Sequence, residues 1–350
     1  MTESNNWGTE MPLTALEQIA QQLVSKGKGI LAADESSPTI KKRLATIGVD
    51  SNESNRLRYR ELLFSTDNLE DYISGVILFE ETLFQKDQKG IPLINILEEK
   101  EIIPGIKVDK GTTALTNFPQ EKITQGLDGL KERLDKYAEA GAKFTKWRAV
   151  INVGENLPSA FAVTCNAHAL ARFAALSQQA GMVPIVEPEI LMDGTHNIEQ
   201  CENAAYETLN SVFDQLFQHK VKLEGMLLKA SMVTSGKDCM KQASVDQVSE
   251  ATFRVLSRCL PPAVPGVVFL SGGQTPTQAT VHLNALNQQK HLPWELSFSF
   301  GRALQEPVLK AWKGLDNNQT TAQDALYARA KLNGAARYGN YLVDDEGSTI

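Results

Sequence analysis

The chain has 350 residues, 42% hydrophobic and 22% charged, a balance that suits a folded soluble protein. A net charge of −7 without any basic run argues against nucleic acid as a partner. No apolar stretch approaches the roughly 20 residues that span a bilayer, and Met1-Thr-Glu-Ser-Asn-Asn-Trp-Gly resembles neither a secretory signal nor an Arg-rich transit peptide, so a cytoplasmic protein is expected.

Short apolar runs recur along the chain, each followed by a longer amphipathic segment. The first four are Gly29 to Asp34, Ile73 to Phe79, Pro104 to Asp109 and Lys143 to Arg148. Val183 to Glu187, Gly225 to Lys229, Val267 to Ser271 and Glu295 to Ser299 follow. Between the third and fourth runs, Gln125 to Ala140 carries Leu127, Leu130, Leu134 and Tyr137 at helical spacing. Pro158 is suited to start the next helix, which runs toward Gly181. Eight strands alternating with helices predict a parallel sheet, and eight is the number that closes a barrel. The expected fold is therefore α/β, a single (β/α)8 TIM barrel spanning residues 1–350. A short polar extension (about 1–12) and a solvated C-terminal tail (about 342–350) complete it. An open doubly wound sheet ranks second, because Asp34-Glu-Ser-Ser-Pro lacks the Gly-rich fingerprint such sheets carry after their first strand.

Four cysteines, Cys165, Cys201, Cys239 and Cys259, are spread without a C-x-x-C pair, which suits reduced thiols better than disulfides or a zinc cluster. The histidines (His168, His196, His219, His282, His291) show no H-x-H or H-x-x-x-H spacing, so no metal is expected.

Lys229 interrupts the apolar run Gly225-Met-Leu-Leu-Lys229-Ala-Ser-Met-Val233. An interior ammonium is costly, so such a lysine either pairs with a carboxylate or gives up its proton, and a neutral amine attacks ketones to form a Schiff base. Asp34, Asp109, Arg148, Glu187, Lys229 and Ser271 all sit at or near the C-terminal ends of their runs, where barrels build active sites. Lys107 and Asp109, Lys146 and Arg148, and Glu187 and Glu189 are each two apart, hence on one face of their strand. Three such pairs on consecutive strands imply a ligand, or a self-satisfied salt-bridge network. Carbonyl chemistry on an anionic substrate is the favoured reading.

Several longer motifs are similar to those of the class I fructose-bisphosphate aldolases. They are Gly27-Lys-Gly-Ile-Leu-Ala-Ala-Asp-Glu-Ser36, Gly105-Ile-Lys-Val-Asp-Lys-Gly111, Lys146-Trp-Arg148 and Val183-Pro-Ile-Val-Glu-Pro-Glu-Ile190. Leu227-Leu-Lys229, Phe269-Leu-Ser-Gly-Gly-Gln274 and Phe298-Ser-Phe-Gly-Arg-Ala-Leu-Gln305 continue the match, which runs from about Leu13 to Tyr341. The resemblance implies reversible, metal-free cleavage of fructose 1,6-bisphosphate to dihydroxyacetone phosphate and glyceraldehyde 3-phosphate. Lys229 matches the Schiff-base lysine, pushed toward its nucleophilic form by Lys146, Lys107 and Arg148. An ion pair with Glu187 is its structural alternative. Glu187 matches the general acid/base of carbinolamine formation, a role that calls for a pKa raised toward neutrality, which burial and Glu189 favour against the opposing pull of the lysines. Asp34 matches the carboxylate at the C4 hydroxyl; helix capping, its alternative, is better assigned to Ser36 or Ser37. Lys146 would stabilise developing oxyanions.

The resemblance also supplies two phosphate sites. Ser271, Gly272, Gly273, Ser299, Gly301 and Arg302 match the ketone-side phosphate site, in the loops after strands 7 and 8. Ser36, Thr39, Arg43 and Lys107 match residues toward the other phosphate, and Arg148 and Glu189 join them as substrate contacts. Partners implied are phosphorylated ketoses and trioses and further copies of the chain in a homotetramer, with no nucleic acid and no membrane. Glycolysis, gluconeogenesis and, in a photosynthetic cell, the Calvin cycle are the implied settings.

The match departs at Pro38, at Ala230 and at the end. Family members commonly carry a longer tail ending in tyrosine, whereas this sequence reads Asp344-Asp-Glu-Gly-Ser-Thr-Ile350. A tail-delivered proton is therefore not carried over, and neither is a preference between fructose 1,6-bisphosphate and sedoheptulose 1,7-bisphosphate. The rival readings are an imine-forming aldolase or transaldolase of other preference, and a non-catalytic phosphosugar-binding barrel.

Overall fold

A computed structural model of the chain describes residues 14–87 and 89–347. The eight apolar runs form eight parallel strands, each beginning or ending within about three residues of its expected bounds. They are β1 (Gly29–Ala33), β2 (Ile73–Leu78), β3 (Ile103–Lys107) and β4 (Phe144–Ile151), then β5 (Val183–Ile190), β6 (Leu227–Ala230), β7 (Gly266–Phe269) and β8 (Glu295–Phe300). Consecutive strands pair in parallel, and β8 returns to β1, so the sheet closes as the (β/α)8 barrel anticipated and not as an open sheet. An antiparallel hairpin, Thr112–Ala114 with Lys122–Thr124, follows β3.

Alternation with a period of two sorts each strand into an inner and an outer face. On β4, Phe144 points into the barrel while Trp147, Ala149 and Ile151 join the outer core. There Trp147 stacks on Phe173 of the helix Ala160–Gln179 at 5.7 Å. The inner faces therefore run from apolar to charged along each strand: Phe144, Lys146, Arg148 on β4; Val183, Ile185, Glu187, Glu189 on β5; Leu227, Lys229 on β6. Ile30, Ile77, Phe144, Ile185 and Val268 fill the lower barrel. The helix Ala15–Leu23, opened by a capping box between Thr14 and Glu17, plugs the bottom with Ala20 and Leu23. The glycines of β2 and β3 make room inside. A Cβ on Gly105 would lie 2.3 Å from the Phe144 ring, and one on Gly75 would lie 2.7 Å from Leu23.

Three local expectations differ from what forms. The helix expected from Gln125 covers only Leu130–Glu139, because Gly126 and Gly129 both adopt positive φ and Leu127 precedes the first turn. Ser36 is the N-cap of the helix Ser37–Ala45 but makes no side-chain capping bond; its hydroxyl pairs with that of Thr39 at 3.1 Å. Within the segment expected to be a solvated tail, Val343–Gly347 fold as a 3-10 turn. Glu346 there accepts from Arg329 at 2.6 and 2.7 Å and from the Tyr341 hydroxyl at 2.8 Å. The expected N-terminal extension and residues 348–350 lie outside the described residues.

Candidate active site

A cavity of about 360 Å3 opens at the C-terminal ends of the strands. Every site residue named from the sequence lines it: Asp34, Ser36, Thr39, Arg43, Lys107, Lys146, Arg148, Glu187, Glu189, Lys229, Ser271, Gly272, Gly273, Ser299, Gly301 and Arg302. Sequence reasoning missed Ala32, Glu35, Gly111, Thr112 and Leu270 as lining residues, and drew no role for Asp109, which also lines the cavity. No periodicity marks Glu35, since it follows the strand and reads as one more polar loop residue.

Three buried charges, Lys146, Glu187 and Lys229, and the half-buried Asp34 form the centre. Lys229 Nζ lies 3.1 Å from Glu187 Oε1, and Lys146 Nζ lies 3.2 Å from Glu187 Oε2 and 2.6 Å from Asp34 Oδ2. The ion pair weighed as the structural alternative for Lys229 is thus present. Register explains how these groups meet. Lys107 stands opposite Lys146, Lys146 opposite Ile185, and Arg148 opposite Glu187. Closure of the barrel then brings Asp34, just past β1, across to them.

Burial by itself disfavours charge on all of these groups, but their neighbours outweigh it. Burial would raise Asp34, yet Lys146, Lys229 and Lys107 hold its carboxyl well below the usual carboxylate range. Burial would likewise discharge Lys146, yet Asp34, Glu187 and Asp109 keep it protonated far above the ordinary lysine value. Glu187 corrects the expectation of a raised pKa. Although burial pushes upward, Lys146, Lys229 and Arg148 pull its carboxyl below the ordinary value, against a smaller opposing push from Asp34. Glu187 is therefore a carboxylate at neutral pH, hence a proton acceptor.

The rim is built from fixed backbone and short side chains. A Cβ on Gly272 would strike Leu270 at 2.7 Å, and Gly273 holds φ +80°, so glycine lets the backbone line the cavity directly. Gln274 closes this turn by donating from its backbone N–H to Ser271 O at 2.9 Å. Its side-chain oxygen lies 2.5 Å from His282 Nδ1 of the helix Pro276–Asn287. Burial pushes His282 down to about 4, so the neutral imidazole is the donor to Gln274. Gly301 caps the helix Arg302–Trp312, whose first turn faces the cavity beside Arg302. The Ser299 hydroxyl is buried and has no protein partner. Asp109 Oδ1 accepts from Lys107 Nζ and Gly111 N, both at 3.1 Å, and Oδ2 accepts from Arg148 N at 3.3 Å, tying β3 to β4. Arg148 pairs with Glu189. The arrangement presents an amine, two carboxylates able to take protons, and cationic walls for an anion. Among the described residues no group of three or more His, Cys, Asp or Glu side chains could hold a metal ion.

Comparison with known proteins agrees with this chemistry. A family model described as fructose-bisphosphate aldolase class-I matches residues 15–349. A probable fructose-bisphosphate aldolase class 1 of Xanthomonas campestris pv. campestris is 52% identical over 332 residues, 95% of this chain and 99% of that relative. Fructose-bisphosphate aldolase 4, cytosolic, of Arabidopsis thaliana is 52% identical, over 93% of this chain and 83% of its own length. Among solved structures, the fold is similar to the Plasmodium falciparum fructose-bisphosphate aldolase in a ternary complex with TRAP and a small-molecule inhibitor. That match has a TM-score of 0.93 and 48% identity, covering 97% of this chain and 99% of the other.

Proposed function

Because the chain belongs to the class I fructose-bisphosphate aldolase family, we propose that its reversible cleavage of D-fructose 1,6-bisphosphate runs through an imine on Lys229. The observation that carries this reading is the buried amine 3.1 Å from a carboxylate that is itself ionised. Glu187 takes the proton from Lys229, and the freed amine attacks the C2 ketone. The same carboxyl then returns a proton to the carbinolamine hydroxyl, which leaves as water and yields the iminium. Asp34, kept ionised beside Lys146, removes the C4 hydroxyl proton as the C3–C4 bond breaks. The electron pair enters the iminium and becomes the enamine, releasing D-glyceraldehyde 3-phosphate. Protonation at C3 and addition of water free dihydroxyacetone phosphate and regenerate the amine. Lys146 stabilises oxyanions while holding both carboxylates in reach.

The glycine turn Ser271–Gly273, Ser299, Gly301 and Arg302 are proposed to bind the ketone-side phosphate, where backbone N–H groups and a permanently charged guanidinium favour a dianion. Ser36, Thr39, Arg43 and Lys107 take the distal phosphate, with Arg148 and Glu189 along the chain between. We further propose a metal-free cytoplasmic homotetramer, in keeping with the cytosolic Arabidopsis relative, that also accepts sedoheptulose 1,7-bisphosphate. Light scattering and a two-substrate activity profile check the last two statements.

Borohydride with dihydroxyacetone phosphate should trap one adduct, on Lys229, with activity unchanged by excess chelator. Lys229→Met should lose both adduct and cleavage. An adduct on another lysine, or none, would refute the imine, and strong inhibition by chelator would refute metal independence.

A further inference from the structure

Behind the cavity wall lies a second polar cluster that the reaction just described does not use. Glu35 is 8% exposed and its carboxylate is shared. Oε2 lies 2.7 Å from Arg60 Nη2, and Oε1 lies 2.9 Å from both Arg43 Nη1 and Gln305 Nε2. Gln305 is fully buried and itself pinned, donating to Ala32 O at 2.7 Å and accepting from the Tyr59 hydroxyl at 3.0 Å. Tyr59 stacks on Trp312 at 5.3 Å. Strand end, the helix Glu53–Phe64 and the helix Arg302–Trp312 thus fix one carboxylate from three sides.

Two guanidinium groups against one carboxylate leave a surplus positive charge. Arg60 is 2% exposed and does not line the cavity, so the surplus is presented by Arg43, which does. A Cβ on Gly301 would stand 3.7 Å from Arg43 Nη2, and Thr39 is one helical turn before Arg43. Arg43 therefore stands between the loops assigned above to the two phosphates.

We propose that Glu35 is a positioning residue that holds Arg43 at the distal phosphate and so makes efficient cleavage depend on a substrate bearing both phosphates. This rests on the aldolase reading of the cavity. Glu35→Asp keeps the charge that Arg60 needs but withdraws the carboxylate by one methylene. With fructose 1,6-bisphosphate, KM should rise about tenfold with kcat close to the parent's. With fructose 1-phosphate, which lacks the distal group, neither constant should move. In an Arg43→Ala background Glu35→Asp should add nothing further, because the effect passes through that guanidinium. Equal effects on both substrates, no effect on either, or a full effect without Arg43 would each overturn the proposal. Should Glu35→Asp fail to fold, Tyr59→Phe, which deletes only the hydroxyl bond to Gln305, is read by the same split between substrates. Borohydride trapping with dihydroxyacetone phosphate separates the levels. A normal Lys229 adduct without the split sinks this inference alone, whereas no adduct in the parent sinks the reading beneath it.

Discussion

Lys229 and Glu187 lie 3.1 Å apart, so each lowers the cost of burying the other's charge. Asp34 and Lys146 extend the same logic, so that two lysines and two carboxylates share one buried centre. Such a cluster does not raise stability over an apolar core, since desolvation offsets much of the attraction. It does tie stability to pH. The neighbouring cations hold the folded carboxyls of Asp34 and Glu187 below their ordinary values of 3.8 and 4.5. The folded state therefore binds fewer protons than the unfolded state, so the contribution is present above those values and lost as pH falls through the depressed ones. We expect the urea midpoint to fall below about pH 4, and to fall less steeply in Asp34→Asn; parallel profiles would exclude the assignment.

The strands show how one element serves two purposes. The period that sends Phe144 and Ile185 into the lower barrel sends Lys146 and Glu187 to its mouth, two residues later. Packing below and chemistry above are therefore coupled through the same backbone. Gly105 is the clearest hinge of that coupling, since Phe144 occupies the space a methyl group would need, at 2.3 Å. Gly105→Ala should cost at least about 2 kcal/mol in urea unfolding, and adding Phe144→Leu should recover part of it. A stable Gly105→Ala protein with an unmoved midpoint would show that the ring has free room.

The whole molecule is closed at its base by Arg337, which has no exposed surface. Its guanidinium donates to the carbonyls of Val24, Ser25, Lys28 and Leu296, at 2.6 to 3.0 Å, joining the chain's two ends across the barrel floor. Arg337→Met would take one donor from each of these carbonyls and a partner from Glu295, although Lys28 O, Leu296 O and Ser25 O keep the Ser297 hydroxyl, the Asn287 amide and the Lys28 N–H. We expect a loss of about 3 kcal/mol or more, read as a lowered thermal midpoint, with borohydride trapping on Lys229 intact in the protein that remains folded. Loss of trapping in a folded variant would mean that the floor also shapes the mouth.

Alternation and motif spacing are local properties, so the strands, the charged ends of β3 to β5 and the unusual Lys229 were all legible in the linear chain. The resemblance of its motifs extended that reading to the loops. Pairing between charges is not local. Glu35 meets Arg60 and Gln305, and Asp34 meets Lys146, because a closed sheet returns β8 to β1. The sign of the Glu187 shift followed the same rule: burial and the lysines were both legible as opposing pulls, but only their distances let Lys146, Lys229 and Arg148 outweigh the burial. The docking of Glu346 on Arg329 likewise waited on helices brought together at the surface. Side-chain periodicity is written in consecutive residues, whereas the field at a carboxylate is a sum over whatever closure delivers to it.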